Sequence, residues 1–457
     1  MPDTLTQEGA ELMLSDLGIA AAANPMASNS FLTALGLGLR ILNTPVGFPE
    51  YPWTVTSNGR FSDISIDWDS YDVVRSANYY VNPITGIDTN AGTELLPFKT
   101  LDKAIQTSQA GGVPAKINII PGGYRGGWGA TNPTVDLSVV CPLGYAYITN
   151  GRVGYDFELR PGPVYRSLSH NAFMVVDFSN LTGDDNLPTP LTKLTTEAEV
   201  TATPNSFCVD AGNCFVRTFD SRAPDGRIVT IVDSAATAGR WSGTGSFYGK
   251  NLFFVGGGNT GGFIANTQNG TVVLDNCHSD FSGITHTRTV CRGISCTSGG
   301  EFLLRNCSVA RSWNDGFNYH MHSSGSKARI VELNCKSRAC GGEDGNSNGT
   351  TVHDGMTMIR LNGDHQGAQD RVIHDVSSGT KSWNIFTSAK GATAIGGTSW
   401  ACGVPALDDS PEMWLENCEA GLFPNQFIVW GNSACRIHLK NTVINGPVTG
   451  IEKIKPF

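Results

Sequence analysis

Residues 311–365 read RSWNDGFNYHMHSSGSKARIVELNCKSRACGGEDGNSNGTTVHDGMTMIRLNGDH. A strand-like segment in this stretch ends at Asn334, and a similar segment ends at Asn306, 28 residues earlier. The pair Asp315-Gly316 likewise returns as Asp344-Gly345, 29 residues later. No helix has so long a period, whereas one coil of a parallel β-solenoid does. The stretch therefore predicts an all-β solenoid in which Asp315 and Asp344 lie one coil apart, at about 4.8 Å.

The same strand pattern extends along the C-terminal half of the chain. An alternating apolar strand ends in Asn at five positions, which are Asn276, Asn306, Asn334, Asn417 and Asn441. The gaps between them are 30, 28, 83 and 24 residues, and 83 is close to three coils of about 28. Stacked Asn side chains hydrogen-bond along a solenoid and satisfy the backbone of its turns. We therefore expect a structural role for this Asn ladder.

The chain holds twelve cysteines, and their spacing does not match a metal site. Cys335 and Cys340 lie five residues apart, which is outside the spacing of a zinc knuckle. Four cysteines directly follow a ladder Asn, which are Cys277, Cys307, Cys335 and Cys418. Since Cys is small, apolar and often buried, this pattern predicts an interior ladder of thiols, with disulfides as the open alternative. The sequence indicates neither a metal nor a cofactor, because its glycine-rich runs also do not open a helix as a phosphate-binding loop does.

Composition limits the class of protein. Charged residues make up 16% of the chain, and 54 of its 457 residues are glycine, which is typical of a turn-rich all-β protein. A net charge of −9 argues against a nucleic-acid partner and is compatible with a glycan. Apolar runs stay below the roughly 18 residues of a membrane span, and the N-terminus does not show the pattern of a signal peptide. We therefore expect synthesis in a host cytoplasm and no membrane insertion.

Residues 78–125 have the order of elements that begins a β-helix. The apolar strand YYV leads into a polar loop, then into a helix that Thr100 caps and that carries Leu101, Ala104 and Ile105 on one face, and then into the strand INII. This order resembles the start of right-handed parallel β-helix proteins of the pectin-lyase-like class and of the bacteriophage tailspikes and tail fibres built on that fold. In those proteins the helix caps the open end, where an uncovered coil would expose its core and unpaired strand edges.

The resemblance implies a domain organisation. Residues 1–75 form a small α/β module with a helix predicted from Thr4 to Gly18, and they resemble modules that attach a tail appendage to its particle. Residues 76–457 form the right-handed parallel β-helix. Within it, 76–125 are the cap and first coil, 126–245 are early coils with loop excursions, and 246–457 are regular coils. Related spikes are homotrimers, so the resemblance implies that oligomer.

Acidic side chains of the quoted stretch are the candidate catalytic residues. These are Asp315, Asp344, Glu343 and Asp354. Two carboxyl groups about 5 Å apart suit a retaining glycosidase, a wider pair suits an inverting one, and like-charge repulsion in a close pair raises one pKa. The alternative is that Asp-Gly serves turn chemistry, with Asp bonding the backbone and Gly at positive φ. A hydrolase is therefore favoured over a lyase, if the protein is an enzyme.

Candidate substrate-binding residues surround these acids. His320 and His322 alternate along a strand and should share one face, and His353 follows in the next coil. Trp313 is a candidate platform for a sugar ring, and Arg338 and Arg360 border the stretch. The histidines with Asp354 would also suit a metal site of the His-x-His kind or an acid–base pair. Each candidate has an ordinary alternative as well, as a core aromatic or a solvated polar residue.

These residues and the resemblance predict a function in recognition of a surface polysaccharide. The expected protein is a virion tailspike or tail-fibre-like protein that binds, and cleaves if it is an enzyme, a host glycan. Its partners would be that glycan and other tail or baseplate proteins. Two alternatives stay open, which are a non-enzymatic adhesin or structural virion protein, and a pectin-lyase-like lyase or hydrolase that is not part of a particle.

Overall fold

A computed structural model describes most of the chain, in two compact units, Met1–Asp67 and Trp68–Phe457. The described residues are 40–72, 75–125, 128–130, 132–182, 186–233, 236–258, 261–284, 291–342, 347–390, 398–402, 410–421, 429–431, 435–444, 448–449 and 454–456. In the first unit, three short antiparallel strands form one sheet, Arg40–Ile41, Val55–Ser57 and Ser62–Ile64. The helix predicted from Thr4 to Gly18 lies outside the described residues. No helix in the described part of the chain is long and apolar enough to cross a membrane.

The second unit is a right-handed parallel β-helix, as predicted. A short 3₁₀ helix, Trp68–Tyr71, precedes three long parallel sheets. Among the described residues, sheet 1 has twelve strands in the stacking order Ala77–Val81, Ala115–Ile119, Leu137–Val140, Phe247–Lys250, Val272–Asp275, Glu301–Arg305, Arg329–Leu333, Thr357–Leu361, Lys381–Ile385, Glu412–Glu416, Arg436–Lys440 and Ile454–Pro456.

Sheets 2 and 3 each have ten strands in the described part of the chain. Sheet 2 stacks Gly122–Arg125, Ala146–Thr149, Leu252–Val255, His278–Asp280, Ser308–Ala310, Lys336–Arg338, Asp364–Gln366, Ser388–Lys390, Glu419–Ala420 and Val443–Ile444. Sheet 3 stacks Trp128–Ala130, Gly239–Gly243, Gly261–Thr267, Arg292–Thr297, Phe317–His320, Asn348–Val352, Arg371–Asp375, Thr398–Cys402, Val429–Gly431 and Val448–Thr449. The chain visits sheets 1, 2 and 3 in turn, so one coil contributes one strand to each.

The Asn ladder lies in the turn between sheets 1 and 2. Asn334 accepts a hydrogen bond from Asn362 at 2.9 Å and donates one to Asn306 at 3.0 Å, each 28 residues away. The ladder residues have positive φ, for example 55° at Asn334, a conformation that Asn tolerates better than most residues. Between Asn334 and Asn417 the coils pass through Asn362 and Phe386, so the predicted reading of the 83-residue gap as three coils is confirmed.

The cap is also confirmed. Its α-helix spans Leu101–Gly111, the hydroxyl of Thr100 accepts a hydrogen bond from the amide of Lys103, and Gly112 ends the helix at a φ of 65°. The buried helix residues Leu101, Ala104 and Ile105 belong to the same apolar cluster as the first strands of sheet 1. The helix therefore covers the end of the solenoid core.

One large insertion interrupts the early coils, between Thr149 of sheet 2 and Gly239 of sheet 3. Its described residues form a short 3₁₀ helix, an α-helix and two small, mainly antiparallel sheets. The helices are Gly154–Asp156 and Glu197–Ala202, and the strands are Glu158–Leu159, Tyr165–Ser167, Ala172–Thr182, Leu187–Pro190, Thr192–Lys193, Ser206–Asp210, Asn213–Arg217 and Ile228–Val232. The rings of Phe178 and Phe253 lie 4.6 Å apart, so the insertion packs on the outer face of sheet 2.

All twelve cysteines are free and buried, so the predicted thiol interior is confirmed and the disulfide alternative is wrong. Cys277, Cys307 and Cys335 share one apolar cluster inside the early and middle coils. Each of these three cysteines is the residue directly after a ladder Asn, and its side chain lies in the core.

A buried polar network interrupts the apolar interior of the middle coils. Arg360 is fully buried and contacts Asp375 at 3.2 Å, and its Nε lies 3.8 Å from Oε2 of Glu332. Oε1 of Glu332 accepts hydrogen bonds from Tyr319 at 2.6 Å and Thr350 at 3.0 Å. Burial raises the pKa of both carboxyl groups, and Arg360 opposes that shift. The network links strands of sheets 1 and 3 from successive coils.

Candidate functional site

The outer face of sheet 3 gathers polar side chains in its middle coils. In three successive coils, a polar residue followed by glycine lies at the start of the sheet-3 strand or directly before it, and these pairs are Arg292-Gly293, Asp315-Gly316 and Asn348-Gly349. A Cβ at any of the three glycines would come within 2.8 Å of an atom of a neighbouring strand or coil. Only glycine therefore fits at these positions without displacing its neighbours. We call the outward residues of these coils the sheet-3 polar face, and they are Arg292, Asp315, Asn318, His320, Asn348, Thr351, His353 and Asp354.

Asp315 forms the floor of this face. Its side chain is 5% exposed, and Oδ1 accepts hydrogen bonds from the backbone N–H of Asn348 at 3.0 Å and from its side-chain amide at 2.7 Å. Oδ2 accepts a bond from the amide of Asn318 at 2.6 Å. Burial raises the pKa of Asp315, while Arg292 and the amide donors oppose the rise. Asp315 therefore fixes the orientation of two amides, and its role as a reacting acid stays a prediction.

The residue stacked on Asp315 is Asn348, which lies 33 residues further along the chain. The sequence predicts that Asp344, 29 residues after Asp315, stacks on it. That expectation assumed coils of constant length and is corrected by the strand register. Sheets 1 and 2 keep the 28-residue repeat here, and the additional residues fall in the connection between Arg338 and Asn348. Glu343 and Asp344 lie outside the described residues, so their catalytic roles stay predictions.

His320, His353 and Asp354 form the accessible part of the face. Nδ1 of His320 lies 2.9 Å from Oδ2 of Asp354, and the rings of His320 and His353 stack with centroids 4.1 Å apart. Nε2 of His353 lies 2.9 Å from the hydroxyl of Thr351. Burial lowers the pKa of His320, with Arg292 adding to the shift and Asp354 opposing it. His320 is therefore neutral at pH 7, with Nδ1–H donated to Asp354 and the lone pair on Nε2.

Several polar atoms of this face have no hydrogen-bond partner. They are Oδ1 of Asn318, Oδ1 of Asn348 and Nε of Arg292. Asn318 and Asn348 are 1% and 3% exposed, so solvent reaches them poorly. Unpaired buried polar groups are costly, and these two amide oxygens are enclosed beneath the accessible residues of the face. Sequence reasoning missed Arg292, Asn318 and Asn348, although the repeated polar-glycine pair would have found two of them.

Three predicted substrate-binding residues lie elsewhere. Arg360 is enclosed in the core, because its position in the strand points inward, and it is unavailable to a ligand. Arg338 is on sheet 2 and binds the carboxylate of Asp364. The strand ends at His320, so His322 lies in the following turn, where its Nδ1 lies 2.8 Å from the hydroxyl of Ser324. The expectation that His320 and His322 share a strand face is therefore wrong.

Trp313 lies in the turn that leads into Asp315 and is half-buried. A Cβ at Gly342, one coil further, would lie 2.3 Å from the Trp313 ring, so the ring packs against that glycine. Its use as a sugar platform stays a prediction. In the part of the chain that the structure describes, no group of three or more His, Cys, Asp or Glu could hold a metal ion.

Comparison with known proteins gives a partial family match and several similar folds. A family model described as a protein of unknown function (DUF1565) matches residues 84–138, which span the cap and first coils. None of the curated proteins compared with the sequence matches it.

The similar solved structures are distant from this chain. A complex of XylC with xylose has 11% identity and a TM-score of 0.41, covering 80% of this chain and 68% of that one. The pectate lyase Pel9A has 12% identity and a TM-score of 0.37, covering 82% and 80%. A lacto-N-biosidase from Eubacterium ramulus has 9% identity and a TM-score of 0.39, covering 83% and 67%. The site residues above are assigned from this chain's own geometry.

Proposed function

We propose that the protein binds a polysaccharide along the sheet-3 polar face and cleaves it by acid–base chemistry. The observation that carries the proposal is the Asp354–His320 pair, with Nδ1 and Oδ2 2.9 Å apart and with side chains that are 28% and 27% exposed. A glycan that runs along the solenoid axis meets a new coil about every 4.8 Å, close to the length of one sugar ring. Successive sugars therefore meet equivalent positions of successive coils.

His320 is the general base of this proposal. Asp354 holds the imidazole through Nδ1, and Nε2, which Nη2 of Arg292 approaches at 3.4 Å, is the atom that would accept a proton from the sugar or from a water molecule in place of that contact. The depressed pKa keeps His320 unprotonated at neutral pH, and it places the acid limb of the rate profile below the usual value near 6.5. Asp315 lies beneath the face and holds the side-chain amides of Asn318 and Asn348 in place.

The test is a cleavage assay with purified protein. Bacterial capsule and O-chain polysaccharides are incubated with the chain, and reducing ends and unsaturated-uronate absorbance are measured together. We expect release of ends from at least one glycan, and a loss of about 10²- to 10⁴-fold in rate for His320→Ala and for Asp354→Asn. The matched control is His438→Ala, because His438 also pairs with a carboxylate, Glu412 at 2.7 Å, but lies in sheet 1.

Two results would count against the proposal. If the wild type binds a glycan but releases no reducing ends, the protein is an adhesin and His320 does not act as a general base. If His320→Ala and His438→Ala are equally active, cleavage occurs elsewhere on the molecule.

We also propose that this activity belongs to a tailspike-like appendage of a bacteriophage particle. The support is the resemblance of the capped β-helix and of residues 1–75 to such proteins. In this proposal a homotrimer attaches through residues 1–75 to tail or baseplate proteins and recognises a host surface polysaccharide. Mass spectrometry of purified particles from cells carrying the gene should detect the chain at a few copies per particle. Its absence from particles would favour the pectin-lyase-like enzyme outside a virion.

A further inference from the structure

One inward position of sheet 1 changes from leucine to polar residues in the middle coils. The residues that pair in register at this position in successive coils are Leu304, Glu332, Arg360, Asn384 and Leu415. Leucine in the coils before and after the polar residues shows that an apolar side chain fits this position. Glu332, the first of the polar residues, is 1% exposed. Burying a carboxylate is costly, so a role that leucine lacks has to be sought in the contacts of Glu332.

One carboxylate oxygen of Glu332 joins the two strands of sheet 3 that carry the proposed base and its partner. Oε1 accepts a hydrogen bond from Oη of Tyr319 at 2.6 Å and one from Oγ1 of Thr350 at 3.0 Å. Tyr319 directly precedes His320 on its strand. Thr350 lies on the next strand of the sheet, which ends two residues before Asp354. Because neighbouring side chains of a strand point to opposite faces, an inward Tyr319 accompanies an outward His320.

The His320–Asp354 pair lies where the backbone ladder of these two strands ends. His320 is the last residue of its strand, and Asp354 lies in the turn after the next strand, at a φ of 61°. Side-chain contacts therefore contribute more to the spacing between the two coils here than they do within the sheet. Burial and the charge of Glu332 raise the pKa of Tyr319, so its phenol keeps its proton and donates to the carboxylate.

We infer that Glu332 is a positioning residue for the proposed general base, which it supports from inside the solenoid by holding the strand of His320 against the strand that leads to Asp354. The inference rests on the proposed function of the sheet-3 polar face. Glu332 is buried and does not touch the substrate. Because a displacement of about 1 Å can cost about 100-fold in rate, loss of its two hydrogen bonds should lower turnover more than substrate binding.

The experiment removes the hydrogen bonds one at a time with little change in the shape of the interior. Tyr319→Phe and Thr350→Val each delete one hydroxyl, whereas Glu332→Gln keeps a side-chain oxygen that accepts both bonds. The control is Tyr248→Phe, because Tyr248 is also a buried tyrosine that donates to a carboxylate, Asp275 at 3.4 Å, but lies in sheet 1. The kcat and KM are measured with a glycan that the wild type cleaves, and the midpoint of urea unfolding is measured for each variant.

We expect Tyr319→Phe and Thr350→Val to lower kcat about 10- to 100-fold, with KM changed less than about 3-fold. Glu332→Gln should keep kcat within about 3-fold of the wild type, because both hydroxyls retain an acceptor. Tyr248→Phe should lose stability through its missing hydrogen bond without losing kcat. Activity would then follow the contacts of Glu332 and not the stability of the fold.

Three results would overturn the inference, at different levels. Full kcat in Tyr319→Phe and Thr350→Val, when His320→Ala is inactive, removes the positioning role and leaves the proposed function standing. A kcat that falls with the urea midpoint in every variant, the control included, shows that Glu332 has only a structural role. If the wild type cleaves no glycan, the proposed function fails, and the positioning role fails with it.

Discussion

At the scale of single residues, the chain shows which sequence signals are reliable. The ladder Asn residues adopt positive φ and hydrogen-bond to their equivalents one coil away, so one residue type meets both a backbone and a stacking requirement. The positions of candidate catalytic and binding residues are harder to predict from sequence. Of the larger set of residues predicted to form one site, His320, His353 and Asp354 lie together, whereas Arg360, predicted to bind substrate, lies in the core. From the sequence, an arginine on the surface cannot be distinguished by its charge from an arginine that pairs with a carboxylate inside a solenoid.

Substitutions of Asn334 separate the two parts of its role. Asn334→Gly keeps the backbone conformation and removes both ladder bonds, whereas Asn334→Ala also places a Cβ at a φ of 55°. We expect Ala to lower the free energy of unfolding by about 1–2 kcal/mol more than Gly does. Urea unfolding followed by tryptophan fluorescence measures the difference, and equal stability of the two variants would contradict this account.

At the scale of elements, strand stacking was predictable and turn length was not. The Asn positions define the repeat because sheets 1 and 2 keep it, and the cap helix followed from Thr100 and its apolar face. The partner of Asp315 could not be obtained by counting, since the connection between Arg338 and Asn348 is longer than its equivalent one coil earlier. Turns of a solenoid vary in length without disturbing the strands, so the register of a site has to be read strand by strand.

The buried network across these strands gives an element-scale prediction. Arg360→Met leaves the carboxyl groups of Glu332 and Asp375 buried without a cation, so we expect a loss of about 3–5 kcal/mol in the free energy of unfolding. Adding Glu332→Gln and Asp375→Asn to this variant should restore most of the loss, because no charge then stays unpaired. The midpoints of urea unfolding test both steps. A triple variant no more stable than Arg360→Met would contradict the role given to the charges.

At the scale of the whole molecule, stability should depend on pH through buried histidines. Burial lowers the pKa of His365 to about 3, with Arg360 adding to the shift. The unfolded chain binds a proton at this residue near pH 6.5, while the folded chain does not. Stability from His365 is therefore present above about pH 6.5 and is lost as pH falls from there toward about 3.

Comparison with a variant isolates this one group from the other titrating residues. As pH falls from about 6 to about 4, the free energy of unfolding of the wild type should decrease by about 1.4 kcal/mol per pH unit more than that of His365→Asn. The free energy of unfolding, measured in urea at several pH values, gives both curves. Parallel curves would show that His365 gains a proton in the folded state as readily as in the unfolded chain.

The central claim is that a parallel β-helix brings residues far apart in sequence onto one outward face that binds and cleaves a polysaccharide. The most direct measurement is a crystal structure of the inactive His320→Ala variant soaked with an oligosaccharide of a cleaved glycan. Sugar density should follow sheet 3 along the solenoid axis, with hydrogen bonds to His353 or Asp354. Density confined to sheet 2 or to the inserted sheets, with the sheet-3 polar face unchanged, would contradict the account.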